Sequence, residues 1–141
     1  MVGAALYEFI QHTADVGLRI EAATLESLFA EAGRGLFALI VNDAKAVPPA
    51  HSVEFRLSAR APDDLLYDWL NELVFTFETQ ALVLSEFKVK LQGDTLYVKA
   101  HAAPLDAERH GLGNEIKAVT YHELKLQQEG DKWVAEVIVD I

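Results

Sequence analysis

VEFRLSARAPDDLLYDWLNELVFTFET, residues 53–79, decides the fold class, because its apolar residues change period halfway along. Val53, Phe55, Leu57 and Ala59 alternate with Glu54, Arg56 and Ser58, the pattern of a strand with one buried face. Beyond Pro62 the repeat lengthens. Leu65, Leu66, Trp69, Leu70, Leu73, Val74 and Phe77 form one broad stripe of a helix predicted to run to about residue 79. Pro62 suits the first helical position, and Asp63 and Asp64 favour the positive end of the helix dipole. A stripe that wide lies against a sheet.

The same reading extends outward in both directions. Upstream, residues 7–12 form a short strand, residues 13–17 a turn, and residues 18–22 a second strand. Thr24 then caps a helix predicted to reach Val41, with Leu25, Leu28, Phe29, Ala32, Leu36, Leu39 and Ile40 on its buried stripe. Gly33 and Gly35 weaken that helix by about 1 kcal/mol each relative to alanine, so they predict close packing. Residues 42–51, containing Pro48-Pro49, read as a loop. Downstream come a hairpin (82–91 and 95–103), an irregular stretch (104–114) and a last hairpin (115–127 and 133–141). The order β-β-α-β-α-β-β-β-β predicts a single α+β domain over residues 1–141, with two helices packed on a largely antiparallel sheet.

Composition narrows the chemistry. The 141 residues contain no cysteine, which excludes disulfides, thiolate metal sites and a cysteine nucleophile. No apolar run is long enough to span a bilayer and no signal-peptide pattern opens the chain, so a cytoplasmic protein without membrane contact is expected. Twelve basic residues against 22 acidic ones give a net charge of −10. No six-residue stretch holds more than two cations, so strong direct nucleic-acid binding is not expected. Any role with RNA is indirect or confined to one small patch. An acidic protein can instead be steered toward a basic partner cleft. Oligomeric state leaves no signal in the sequence.

Motifs for phosphoryl transfer and serine hydrolysis are missing. There is no G-x-x-x-x-G-K-[ST], no G-x-G-x-x-G after a strand and no G-x-S-x-G. Gly111-Leu112-Gly113-Asn114 leads into a strand, so it offers no helix dipole to a phosphate. The five histidines are scattered without metal-ligand spacing. Two aspartates are better candidates. Asp15 lies in the turn between the first two strands, and Asp140 ends the apolar strand that starts at Trp133. Alternation puts Asp140 on the face of Val134, Glu136 and Ile138, where a charge is costly if buried unless paired or bound to metal. The terminal oxygens of Ile141 are one residue away. Such an all-oxygen set suits Ca²⁺, Mg²⁺ or Mn²⁺, although each aspartate also reads as an ordinary turn or terminal residue.

Four blocks carry a family resemblance. Residues 9–18, with His12-Thr13-Ala14-Asp15 at their centre, resemble the N-terminal signature of the archease family. Leu65-Leu66 with Leu70-Asn71-Glu72-Leu73 is similar to its second-helix pattern. Residues 115–122, ending Lys117-Ala118-Val119-Thr120-Tyr121-His122, and the terminus from Trp133 through Asp140-Ile141 resemble its last two strands. The resemblance implies a divalent metal, calcium in the family, held by Asp15, Asp140 and main-chain oxygen of Ile141. It also implies a non-enzymatic protein that activates the GTP-dependent tRNA-splicing RNA ligase by promoting its guanylylation. His12, Lys117 and His122 fall in the signature blocks, as residues that face the partner, support the metal ligands, or make ordinary hydrogen bonds and ion pairs. Two other readings compete: a chaperone or solubility modulator of a tRNA-modifying enzyme such as a methyltransferase, and an enzyme using His12, Asp15 and Asp140 in acid–base catalysis.

Overall fold

A computed structural model describes residues 4–11 and 14–141. Its elements are β1 (Leu6–Gln11), β2 (Asp15–Ala22), α1 (Leu25–Ile40), β3 (His51–Ser58), α2 (Pro62–Gln80), β4 (Leu82–Gln92), β5 (Thr95–Pro104), α3 (Ala107–His110), β6 (Ala118–Glu129) and β7 (Lys132–Asp140). The predicted α+β class and the two long helices are present, and the short α3 is added inside the stretch read as irregular. The strands divide between two antiparallel sheets, ordered β1-β2-β7-β6 and β3-β5-β4.

Helix α1 explains the division. It packs against β1, β2 and β7 on one side and against β4 on the other, and it is buried almost all round. A helix in that position needs an apolar circumference rather than a stripe. The two glycines serve opposite sides. A Cβ at Gly33 would come within 3.1 Å of the Phe87 ring on β4, and one at Gly35 within 3.0 Å of Leu18 on β2. The side chain of Thr24 accepts the Ser27 N–H at 3.0 Å, the expected cap. Helix α2 starts with Pro62, as predicted, and its Trp69 indole donates to the Phe29 carbonyl of α1 at 3.0 Å.

The far end of α1 is closed by the Gly-rich stretch. Gly113 N–H donates to Ile40 O and Asn114 N–H to Leu39 O, both at 2.8 Å. These bonds satisfy carbonyls that a helix terminus otherwise leaves open. A Cβ at Gly113 would stand 2.5 Å from the Leu39 carbonyl oxygen, so only glycine permits the approach. The β4–β5 and β6–β7 turns are tighter than the sequence pattern indicates. Gly130 and Asp131 alone join β6 to β7, with Gly130 at φ +67°.

Candidate metal centre

Strands β2 and β7 are neighbours in the four-stranded sheet, and their register sets Asp15 directly opposite Asp140. The Ile141 N–H donates to the Ala14 carbonyl at 3.3 Å, which makes the aspartates a non-hydrogen-bonded pair. In regular sheets that pairing brings the Cα atoms to about 4.5 Å and the side chains closest together. Two carboxylates so placed repel unless a cation lies between them. Both point to the outer face, because Val16, Leu18 and Ile20 of β2 and Val137 and Val139 of β7 are buried inward.

One oxygen of the pair stands out. Asp15 Oδ1 is buried and has no hydrogen-bond partner among the described residues. A buried carboxylate oxygen without donor or cation is costly, so its environment fits a bound cation better than an empty turn. Ile141 is held by its side chain against the core, which fixes the main chain beside Asp140. Ala118 of β6 pairs with Asp140 from the other side, and the Lys117 N–H donates to the Asp140 carbonyl at 2.9 Å. Among the described residues no set of three or more His, Asp or Glu side chains converges there. Two carboxylates plus main-chain oxygen would make a hard set of the kind that suits Ca²⁺, Mg²⁺ or Mn²⁺. His12 lies outside the described residues.

The candidate supporting residues separate in space. Lys117 is exposed and reaches the site through its backbone alone. His122 is 78% exposed, near Glu123 in the bulge where β6 loses register between Thr120 and Lys125. Three contributors had no assigned role in the sequence. Thr120 lies two residues from Ala118 on the same outer face, opposite Ile138, with its Oγ1 buried and unpartnered among the described residues. Asn71 clamps β6 to α2: its Nδ2 donates to Val119 O at 3.0 Å, and its Oδ1 accepts Val119 N–H at 3.1 Å. The amide thus covers backbone groups of an edge strand one residue from the Asp140 partner. Gly17 is the third. It separates the aspartates from the next charged row and floors a cavity of about 190 Å³ lined by Ile10, Arg19, Glu123, Glu136 and Ile138.

That next row is a closed ion network. Arg19 lies 3.1 Å from Glu21, 3.5 Å from Glu136 and 3.9 Å from Glu8. Glu21 also receives Lys132 at 2.5 Å. The Lys132 and Arg19 hydrogen bonds hold the Glu21 carboxyl below its ordinary range, and the Glu21 hydrogen bond raises the Arg19 guanidinium further. Beside the bulge, Tyr121 donates to Asp64 at 2.6 Å, and that bond pushes its phenol up to about 12.

A model of the Archease protein family matches residues 7–141. The chain belongs to the archease family. It is 40% identical to the protein archease of Methanopyrus kandleri, with 96% of this chain and 99% of that protein covered. The Pyrococcus furiosus archease is 35% identical, with 96% and 98% covered. The solution structure of protein 1598 of Methanobacterium thermoautotrophicum superposes with a TM-score of 0.80 at 32% identity, over 96% of this chain and 98% of that one. A crystal structure from Thermotoga maritima, titled an archease and possible chaperone, superposes at 0.68 with 25% identity, over 94% of each chain. No helix among the described residues is long and apolar enough to cross a membrane. In this chain the second-helix and sixth-strand blocks that carry the family resemblance meet through Asn71 and Val119.

Proposed function

We propose that this archease activates a GTP-dependent RNA ligase, and that its Asp15–Asp140 pair holds the divalent cation required for that effect. The observation that carries the reading is the directly opposed aspartate pair, with the buried Oδ1 of Asp15 unpartnered among the described residues. Asp15, Asp140 and main-chain oxygen at Ile141 would hold the ion, with calcium as the expected occupant. When bound, the ion supplies a fixed positive charge that can engage phosphate or carboxylate groups of the partner. The protein's own residues position it. Val119 and Ala118 align β6 along Asp140, Asn71 fixes Val119, and the Ile141 side chain anchors the last residue in the core. The chain itself performs no covalent step in this reading, consistent with the absence of nucleotide-binding motifs and of a cysteine nucleophile from its sequence.

The test is single-turnover guanylylation of the cognate ligase with this protein, with its Asp15→Ala and Asp140→Ala variants, and with chelator. Stimulation should fall at least tenfold for either variant and for the chelated protein, with unchanged circular dichroism. Full stimulation by both folded variants would remove the metal from the mechanism. The chaperone reading draws support from the Thermotoga protein's title and from the exposed apolar residues Leu6, Phe9 and Ile10 on edge strand β1. It expects chelator-insensitive protection of an aggregating client and no change in guanylylation rate.

A further inference from the structure

The sequence disperses its cations, and the three-stranded sheet collects them. In the β3-β5-β4 register Arg56 pairs with Tyr97 and Tyr97 with Lys90, while Glu54 pairs with Lys99 and Lys99 with Lys88. Leu96, Val98 and Ala100 are buried inward, so the alternating Tyr97 and Lys99 point outward. Arg56, Lys88, Lys90, Tyr97 and Lys99 are all exposed. The Arg56 guanidinium lies 5.8 Å from the Tyr97 ring centroid. None of these four cations is within 4.0 Å of a carboxylate among the described residues, although every cation on the outer face of the other sheet is. Together they border a shallow groove of about 450 Å³.

We propose that this face binds single-stranded nucleic acid, with phosphates on Arg56, Lys88, Lys90 and Lys99 and a base stacked on Tyr97. Four cations face one carboxylate, Glu54, so the patch is locally positive in a chain of net charge −10. Physiological salt screens charges beyond about 8 Å, so the local surplus governs an approaching phosphate. An exposed aromatic ringed by cations on a sheet is the combination that single strands use, because each base offers a π-face. A duplex hides its bases in the stack, and an acidic peptide has no use for the ring. Binding at this face needs neither the aspartates nor a metal.

The test is fluorescence anisotropy of a labelled oligouridylate of about a dozen nucleotides, titrated with the full-length protein at several salt concentrations. A duplex of the same length and an oligoglutamate peptide serve as comparators. The single strand should bind saturably at low salt and at least tenfold tighter than either comparator. Its log affinity should fall with log salt at a slope of about −3, as expected for four phosphate contacts. Replacing both Lys90 and Lys99 by Gln should cost at least tenfold and flatten the slope. Tyr97→Ala should cost about tenfold while leaving the slope unchanged. Asp15→Ala should bind as the parent does. Equal thermal midpoints establish that each variant is folded. No saturable binding, or binding indifferent to both sets of variants, would overturn the proposal. So would oligoglutamate binding as tightly as RNA, which would assign the face to an acidic protein.

Discussion

The outer faces of the two sheets use the same pleated alternation and carry opposite electrostatic designs. On the four-stranded sheet Arg19, Lys125 and Lys132 are each matched by glutamates, and a surplus of acid remains, ending in the Asp15–Asp140 pair. On the three-stranded sheet Arg56, Lys88, Lys90 and Lys99 stand around Tyr97 without such partners among the described residues. The net charge of −10 therefore averages two unlike surfaces. In the two proposals, one face would take a cation and the other an anion. Register creates both, because side chains that meet across strands come from distant parts of the chain.

The sharpest way to break the comparison is to remove the acidic demand. Asp15→Asn should relieve cross-strand repulsion and stabilise the metal-free protein by about 0.5 kcal/mol. With calcium at a hundredfold excess over its dissociation constant, the parent should gain about 2.7 kcal/mol, or roughly 8 °C in Tm, and the variant almost nothing. The order of the two midpoints thus reverses on adding calcium, a result that differential scanning fluorimetry reads directly. If calcium raises both Tm values equally, the ion binds elsewhere.

The support beneath the pair comes next. Asn71→Ala removes two hydrogen bonds and leaves the Val119 N–H and C=O of edge strand β6 without their side-chain partner. A loss of about 2 kcal/mol is expected in urea unfolding, with the calcium increment reduced as well. Asn71→Asp keeps one acceptor for the Val119 N–H and should lose less. Equal losses for the two variants would mean the clamp does not act through Val119.

How much of this was legible depends on whether a feature is local. The helix from Pro62, the Thr24 cap and the tight packing at Gly33 and Gly35 follow from spacing within one segment, and all are present. The two-sheet division was not legible, because a helix buried all round and one buried on a stripe both present apolar periodicity. The candidate site was half legible. Alternation put Asp140 on the face of Val134, Glu136 and Ile138 without saying whether that face is buried, and its register with Asp15 spans nearly the whole chain, beyond the reach of any local pattern. Asn71 and Thr120 were invisible for the same reason, since an amide or hydroxyl inside a motif does not announce its distant partner. The basic patch escaped because its cations come from three strands and never cluster in sequence.

Glu21 tests the matched half of the acidic face. Lys132 and Arg19 hold its carboxyl below the ordinary value of 4.5. A depressed folded value means that the stabilisation is fully present above about pH 4.5 and is lost as pH falls through the folded value. Glu21→Gln should therefore lower the urea midpoint at pH 7, and the difference from the parent should shrink towards pH 3. A difference independent of pH would make Glu21 a packing residue instead.

The smallest expected effect lies on the basic face and has the opposite sign. Lys88 and Lys99 are cross-strand neighbours of like charge, and no carboxylate is within ion-pair distance of either among the described residues. Such pairs destabilise a sheet by a few tenths of a kcal/mol. Lys88→Gln should accordingly raise the urea midpoint slightly at low salt, and the gain should fade as added salt screens the repulsion. The same substitution removes one proposed phosphate contact, so it should weaken oligonucleotide binding while strengthening the fold. Stability gained together with binding lost is the mark of cations retained for a ligand. Stability lost on substitution would instead mean that Lys88 is engaged within the protein and that this face is matched after all.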